Sequence, residues 1–87
     1  MTPQHEPERQ RFTLPTTPAS VLDYELQPGR VVFTHSGVPP ACQGQGLAAR
    51  LVEAGLQWAR EQGLKVVPAC SYVHAYIQRH PEWQNLV

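Results

Sequence analysis

The spacing of apolar residues divides the chain into short runs with a two-residue period followed by stretches with a helical one. Arg11 to Leu14, Ser20 to Leu26 and Arg30 to His35 alternate or cluster apolar positions in a way that predicts three β-strands. Gln27-Pro28-Gly29 between the last two has the composition of a hairpin turn, and Pro15-Thr16-Thr17-Pro18 is a looser link whose prolines suit a sheet edge. Links this short predict antiparallel neighbours. From about Gln45 to Gln62 the period changes: Leu47, Ala48, Leu51, Val52, Gly55, Trp58 and Ala59 recur every three or four residues, while Arg50, Glu53, Gln57, Arg60 and Glu61 take the other face. This is an amphipathic helix with Gly63 as its stop. Lys65-Val66-Val67-Pro68 reads as a short buried strand, and the run through Tyr72, Val73, Tyr76 and Ile77 as a second helix that His80-Pro81 ends.

A strand, a crossing helix and another strand make a right-handed parallel connection. The predicted fold is therefore an α/β layer, a mostly antiparallel four-stranded sheet whose last strand adds parallel, with two helices in the order β-β-β-α-β-α. Residues 1–10 are polar, proline-containing and aperiodic, which predicts a disordered tail ahead of a single domain at residues 11–87. A chain of 87 residues has room for one small core and no second domain.

Charge and cysteine content narrow the function classes. Seven basic residues balance seven acidic ones, so the electrostatic footprint of a general nucleic-acid or anionic-membrane binder is absent. No apolar run is long enough to span a bilayer, and the N-terminus has no basic region followed by an apolar stretch, so a cytoplasmic location is expected. Cys42 and Cys70 are far apart and in no paired motif, which predicts free thiols. Cys70 and His74 share a helical spacing, but no further ligand pair accompanies them, and no metal is expected.

The chemistry concentrates at Gln43-Gly44-Gln45-Gly46-Leu47-Ala48, between the third strand and the first helix. Glycines there let the backbone approach a ligand, and the unpaired N–H groups and positive dipole of a helix N-terminus favour an anion. A phosphorylated cofactor fits such a loop, and so does a purely structural turn. The loop also stands at the C-terminal end of a strand, where α/β proteins bind ligands.

Gln43-x-x-Gly46-x-Ala48 resembles the pyrophosphate loop of the GNAT superfamily of acyl-CoA N-acetyltransferases. A subgroup of truncated single-domain members is similar over a longer stretch. The matching segments are His35-Ser36-Gly37-Val38-Pro39-Pro40, the loop, Lys65-Val66-Val67-Pro68-Ala69-Cys70, the aromatic helix from Tyr72 to Tyr76, and His80-Pro81-Glu82-Trp83. The resemblance covers the chain from about Arg11 onward. It implies that backbone N–H groups of Gly44, Gln45, Gly46, Leu47 and Ala48 hold the pyrophosphate of acetyl-CoA, with Gln43 at the entrance and the strand ending near Val38 beside the pantetheine arm. It implies an N-acetyltransferase acting on an unidentified amine, protein or small molecule, with a backbone N–H on that strand polarising the thioester carbonyl.

The departures from the superfamily pattern matter as much. Its usual tyrosine acid on the last helix aligns with Ile77, one residue from Tyr76. Cys70 stands where an asparagine beside the coenzyme is common, which makes it a candidate coenzyme contact, and at a strand end before a helix, where a thiol can become a nucleophile; the other reading is a packed small hydrophobe. His35 is the candidate base, or a structural histidine, and the acidic residue usual two positions later is Gly37 here. Cys42 reads as packing, Tyr72 and Tyr76 as core or rim aromatics, and Arg50 as an exposed partner of Glu53. Compared with a full-length domain the chain lacks the N-terminal helices and final strands that build the acceptor site. A non-catalytic acetyl-CoA-binding or interaction module is therefore the alternative, and the protein is expected to be a monomer or weak homodimer.

Overall fold

The computed structural model describes residues 2–87. Five strands form one sheet in sequence order: β1 (Gln4–Glu6), β2 (Arg11–Leu14), β3 (Ser20–Gln27), β4 (Arg30–Gly37) and β5 (Lys65–Pro68). The first four pair antiparallel and β5 joins β4 in parallel. Helix α1 (Leu47–Glu61) makes the crossover, and α2 (Ser71–Arg79) follows β5 directly. A 3-10 helix at Pro81–Leu86 ends the chain.

The expected four-stranded sheet is thus corrected to five strands. The extra strand lies in the segment read as a disordered tail, of which Met1 alone is outside the described residues. Composition misleads there because the ordering force is tertiary. His5 stacks on Phe12 with ring centroids 4.2 Å apart, packs edge-on to Trp58, and places Nε2 2.6 Å from the Tyr24 hydroxyl. Pairing of Gln4 with Thr13 and of Glu6 with Arg11 completes the edge. Three residues with no hydrophobic pattern become a strand because one imidazole inserts into an aromatic cluster.

A single core holds Phe12, Leu14, Leu22, Tyr24, Val31 and Phe33 from the sheet, Leu51, Val52, Leu56 and Ala59 from α1, and Val73 and Ile77 from α2. Trp83 and Leu86 of the terminal 3-10 helix are buried too, and Arg60 lies 4.1 Å from the centre of the Trp83 ring. Helix and sheet meet closely at Gly55, where a Cβ would stand 3.0 Å from Leu22 Cδ2 and from Phe33 Cε1 and Cζ. The glycine lets α1 settle onto the sheet.

In β4 the inward positions are Val31 and Phe33, but Tyr24 faces Phe33 while Asp23 faces His35, so Thr34 is an extra residue. This β-bulge reverses the alternation. Beyond it Ser36, opposite buried Leu22, turns toward the helices, and His35 turns to the open face.

Gly55→Ala should lower stability by about 1 kcal/mol in urea unfolding, because crowding of two rigid, fully buried side chains outweighs the gain in helix propensity. His5 is also a pH sensor of stability. Burial lowers its pKa, against a smaller upward pull from Glu8. The folded pKa lies below the unfolded one, so stability is full above the ordinary imidazole range and falls as pH drops through it. Between about pH 7.5 and about pH 5 the melting temperature of the wild type should fall further than that of His5→Phe.

Candidate functional site

The β4–β5 pairing ends at Phe33 opposite Pro68, whereas β4–β3 pairing runs on to Gly37 opposite Val21. Residues 34–37 therefore have a strand neighbour on one side only. The Cys70 N–H donates to the Phe33 carbonyl at 2.8 Å and marks the last link before the strands part. Beyond that fork lies an open groove of about 480 Å³, lined by Ser36, Gly37 and Val38 on the strand side, by Cys42, Gln43, Gly44, Gly46, Leu47 and Ala48 on the loop side, and by Tyr72 from α2.

The loop geometry is fixed by two glycines and one side chain. Gly44 and Gly46 have φ of 84° and 75°, the left-handed region that glycine enters without cost. Nothing lies within 4 Å of a Cβ built on either, so the space above them is open to a ligand. Gln43 Nε2 donates to the Val38 carbonyl at 3.1 Å and ties the loop to the end of the strand segment. Gly46 is the N-cap of α1, and no side chain among the described residues caps it. The first N–H groups of the helix then face the groove with the positive end of the dipole behind them.

Cys70 is the N-cap residue of α2 and is 9% exposed. It does not line the groove; Ser36 stands between, its hydroxyl 3.4 Å from Sγ. Burial pushes the thiol pKa up, but the Ser36 hydroxyl and the N–H groups of Val73, Tyr72 and Ser36 favour the thiolate more, so the net shift is downward. No formed cap hydrogen bond joins Sγ to the helix, and the effect of those N–H groups is that of nearby dipoles.

His35 lies on the opposite face of β4, with Nδ1 3.3 Å from Asp23 Oδ2. Its ring covers Gly37: Cε1 would stand 3.2 Å from a Cβ there. Neither candidate catalytic group is in the groove lining: Cys70 stands behind Ser36 on one face of β4 and His35 beside Gly37 on the other.

Of the residues expected to hold the cofactor, Val38, Gln43, Gly44, Gly46, Leu47 and Ala48 meet at the groove, whereas Gln45 and Cys70 are not in its lining. Sequence reasoning missed Ser36, Gly37 and Tyr72 as wall residues, and Cys42 as more than packing. Only the bulge explains Ser36, since unbroken alternation from Phe33 would turn it outward. Tyr76 is buried, stacked on His80 and 3.4 Å from a Glu53 carboxylate oxygen; burial and that carboxylate raise its pKa. Tyr72, one turn earlier, is the exposed aromatic at the groove. His74 is exposed while Cys70 is buried, and no group of three or more metal-ligating side chains is found among the described residues.

A family model described as GCN5-related N-acetyl-transferase matches residues 11–86. The chain belongs to that family. Protein NATD1 of Gallus gallus is 33% identical over 95% of this chain and 79% of its own length, and Protein NATD1 of Homo sapiens is 33% identical over 95% and 77%. The solution structure of a GCN5-like putative N-acetyltransferase from Staphylococcus aureus is similar in fold, with a TM-score of 0.76 over 95% of this chain and 82% of that one at 24% sequence identity. Groove, bulge and loop therefore sit within a GNAT-like α/β fold.

The Ser36 hydroxyl is a main support of the Cys70 thiolate, so Ser36→Ala should raise the thiol pKa. Thiolate absorbance titrated against pH, with Cys70→Ser as the reference that isolates this sulfur from Cys42, should show the midpoint moving upward.

Proposed function

We propose that the protein binds acetyl-CoA in this groove and transfers its acetyl group to an amine. The observation that carries the reading is the coincidence of an uncapped helix N-terminus, two left-handed glycines and a forked strand edge in one groove of a GNAT-like fold. The diphosphate of coenzyme A is an anion suited to the N–H groups of residues 44–48. The thin, amide-bearing pantetheine arm suits a strand edge left without a partner beyond Phe33. Ser36 and Gly37 wall the groove, and a thioester laid against them would lie at the segment flanked by Cys70 and His35.

In direct transfer the amine nitrogen attacks the thioester carbon and an N–C bond forms as the carbonyl electron pair moves onto oxygen. Backbone N–H groups along residues 36–38 would support that oxyanion. The nitrogen loses its proton to His35 Nε2, the C–S bond breaks, and coenzyme A leaves as a thiolate that solvent or the imidazolium protonates. No tyrosine is needed as acid in this scheme, in keeping with Ile77 at the aligned position and with Tyr76 turned into the core.

One observation favours a second route. The lowered thiol pKa of Cys70, beside a groove residue, suits attack of its thiolate on the same carbonyl, giving an acetyl-cysteine thioester and free coenzyme A thiolate. The amine then attacks that thioester. Burial beside Ser36 means that this route needs the Ser36 side chain to move aside. Acetyl-CoA binding without turnover, the interaction-module reading, is the outcome if neither route operates.

Calorimetric titration with acetyl-CoA should give one-site binding, weakened at least about tenfold by Gly46→Asp, which sets a negative charge against the diphosphate at a left-handed position that Asp enters at less cost than most side chains. Intact mass after incubation separates the routes: a +acetyl adduct absent from Cys70→Ser supports the covalent one, and amine acetylation without any adduct supports direct transfer. Lack of binding at millimolar acetyl-CoA would overturn the proposal.

A further inference from the structure

The open face of the sheet carries a polar row that the loop and groove do not explain. Arg11 on β2, Asp23 on β3 and His35 on β4 stand opposite one another in register. The Arg11 Nε–H donates to Asp23 Oδ1 at 3.0 Å, and the other carboxylate oxygen lies 3.3 Å from His35 Nδ1. Asp23 is thus divided between two partners, one oxygen each. The Asp23 side chain is 28% exposed and that of Arg11 35%, while His35 at 63% is the most open of the three.

An ionised carboxylate only accepts hydrogen bonds, so a neutral imidazole beside Asp23 must carry its proton on Nδ1. This is the less common tautomer, and it leaves Nε2 as the nitrogen with a free lone pair. The ring lies beside Gly37, where Nε2 would stand 3.7 Å from a Cβ and Cε1 3.2 Å. Gly37 lines the groove and His35 does not, so the accepting nitrogen stands next to a residue of the groove wall. A side chain at position 37 would displace the ring.

We propose that Asp23, anchored by Arg11, is the positioning residue that fixes His35 as the Nδ1–H tautomer with Nε2 toward the groove, ready to accept the proton of the attacking amine. The inference deepens the acetyl-transfer reading and rests on it for the base role. Its stability value as an exposed ion pair is small; the consequence lies in orientation. Asp23 itself takes no proton: its charge supports the imidazolium once Nε2 has been protonated. The bulge at Thr34 is what permits the arrangement, because it turns His35 to the face on which Asp23 and Arg11 stand.

The test has one readout that needs no acetyl-CoA. Long-range 1H–15N correlation spectra of the labelled protein at about pH 8, where imidazole is neutral, report the tautomer directly, with His35→Gln identifying the ring. The wild type should show Nδ1–H, and Asp23→Ala should return the ring to Nε2–H. In acetyl transfer to a probe amine, Asp23→Ala should lose about tenfold to hundredfold in kcat with KM for acetyl-CoA unchanged, and should add nothing to the loss in His35→Gln. An Nε2–H wild type, or an Asp23→Ala variant with unaltered kcat, overturns the positioning role. A wild type that shows Nδ1–H but transfers no acetyl group overturns the acetyl-transfer reading and the base role with it, while leaving the Asp23 to His35 geometry standing.

Discussion

Everything of functional interest in this protein depends on where β4 and β5 part. Two parallel strands stay together from Arg30 to Phe33 and then diverge, and the divergence coincides with the extra residue at Thr34. Neither event is costly alone. The Phe33 carbonyl keeps a partner in the Cys70 N–H, and the Thr34 hydroxyl donates to the Asp23 carbonyl at 3.3 Å. What holds the fork in place is Phe33 itself, wholly buried and wedged beneath Gly55, so the backbone cannot slide to restore an unbroken ladder.

From that fork follows the distribution of chemistry. Before the bulge, alternate β4 residues serve the core; after it the same strand sends Ser36 inward, against the Cys70 sulfur, and His35 outward, against Asp23. The two candidate catalytic groups are thereby kept on opposite faces, each beside a groove-wall residue, Ser36 or Gly37. Such an arrangement prevents Cys70 and His35 from forming a thiolate–imidazolium pair. The thiol is instead tuned by the Ser36 hydroxyl and helix N–H groups, while the imidazole stands 3.3 Å from the Asp23 carboxylate.

A domain this small has little core to spare, and it gains cohesion by tying down both ends of the chain. At one end His5 joins Phe12, Tyr24 and Trp58; at the other Trp83 and Leu86 close under α1, with Arg60 over the indole and donating to the Glu82 carbonyl at 3.0 Å. Both anchors grip the C-terminal half of α1, through Trp58 and Arg60. The N-terminal half of the helix, uncapped and beside two glycines, is left to the groove. The anchored end of the helix and its groove-facing end are therefore separate.

The sequence alone determined the strands from Arg11 to Leu14, Ser20 to Leu26 (one residue short of the observed end) and Lys65 to Pro68, both helices and the glycine loop, because each is specified by local periodicity, turn chemistry or a helix start within a few residues. The family resemblance was legible for the same reason, being carried by short contiguous motifs. Tertiary structure decided the rest. It made a strand of Gln4–Glu6 through one imidazole in a distant aromatic cluster, and it brought Tyr72 rather than Tyr76 to the groove by rotating α2 about its buried Val73 and Ile77. Most of all it set the bulge at Thr34, which leaves no trace in the composition of β4. Register there is fixed by Tyr24, Leu22 and Gly55 packing against Phe33, residues distant in sequence, and so only the folded chain could settle which way His35 and Ser36 face.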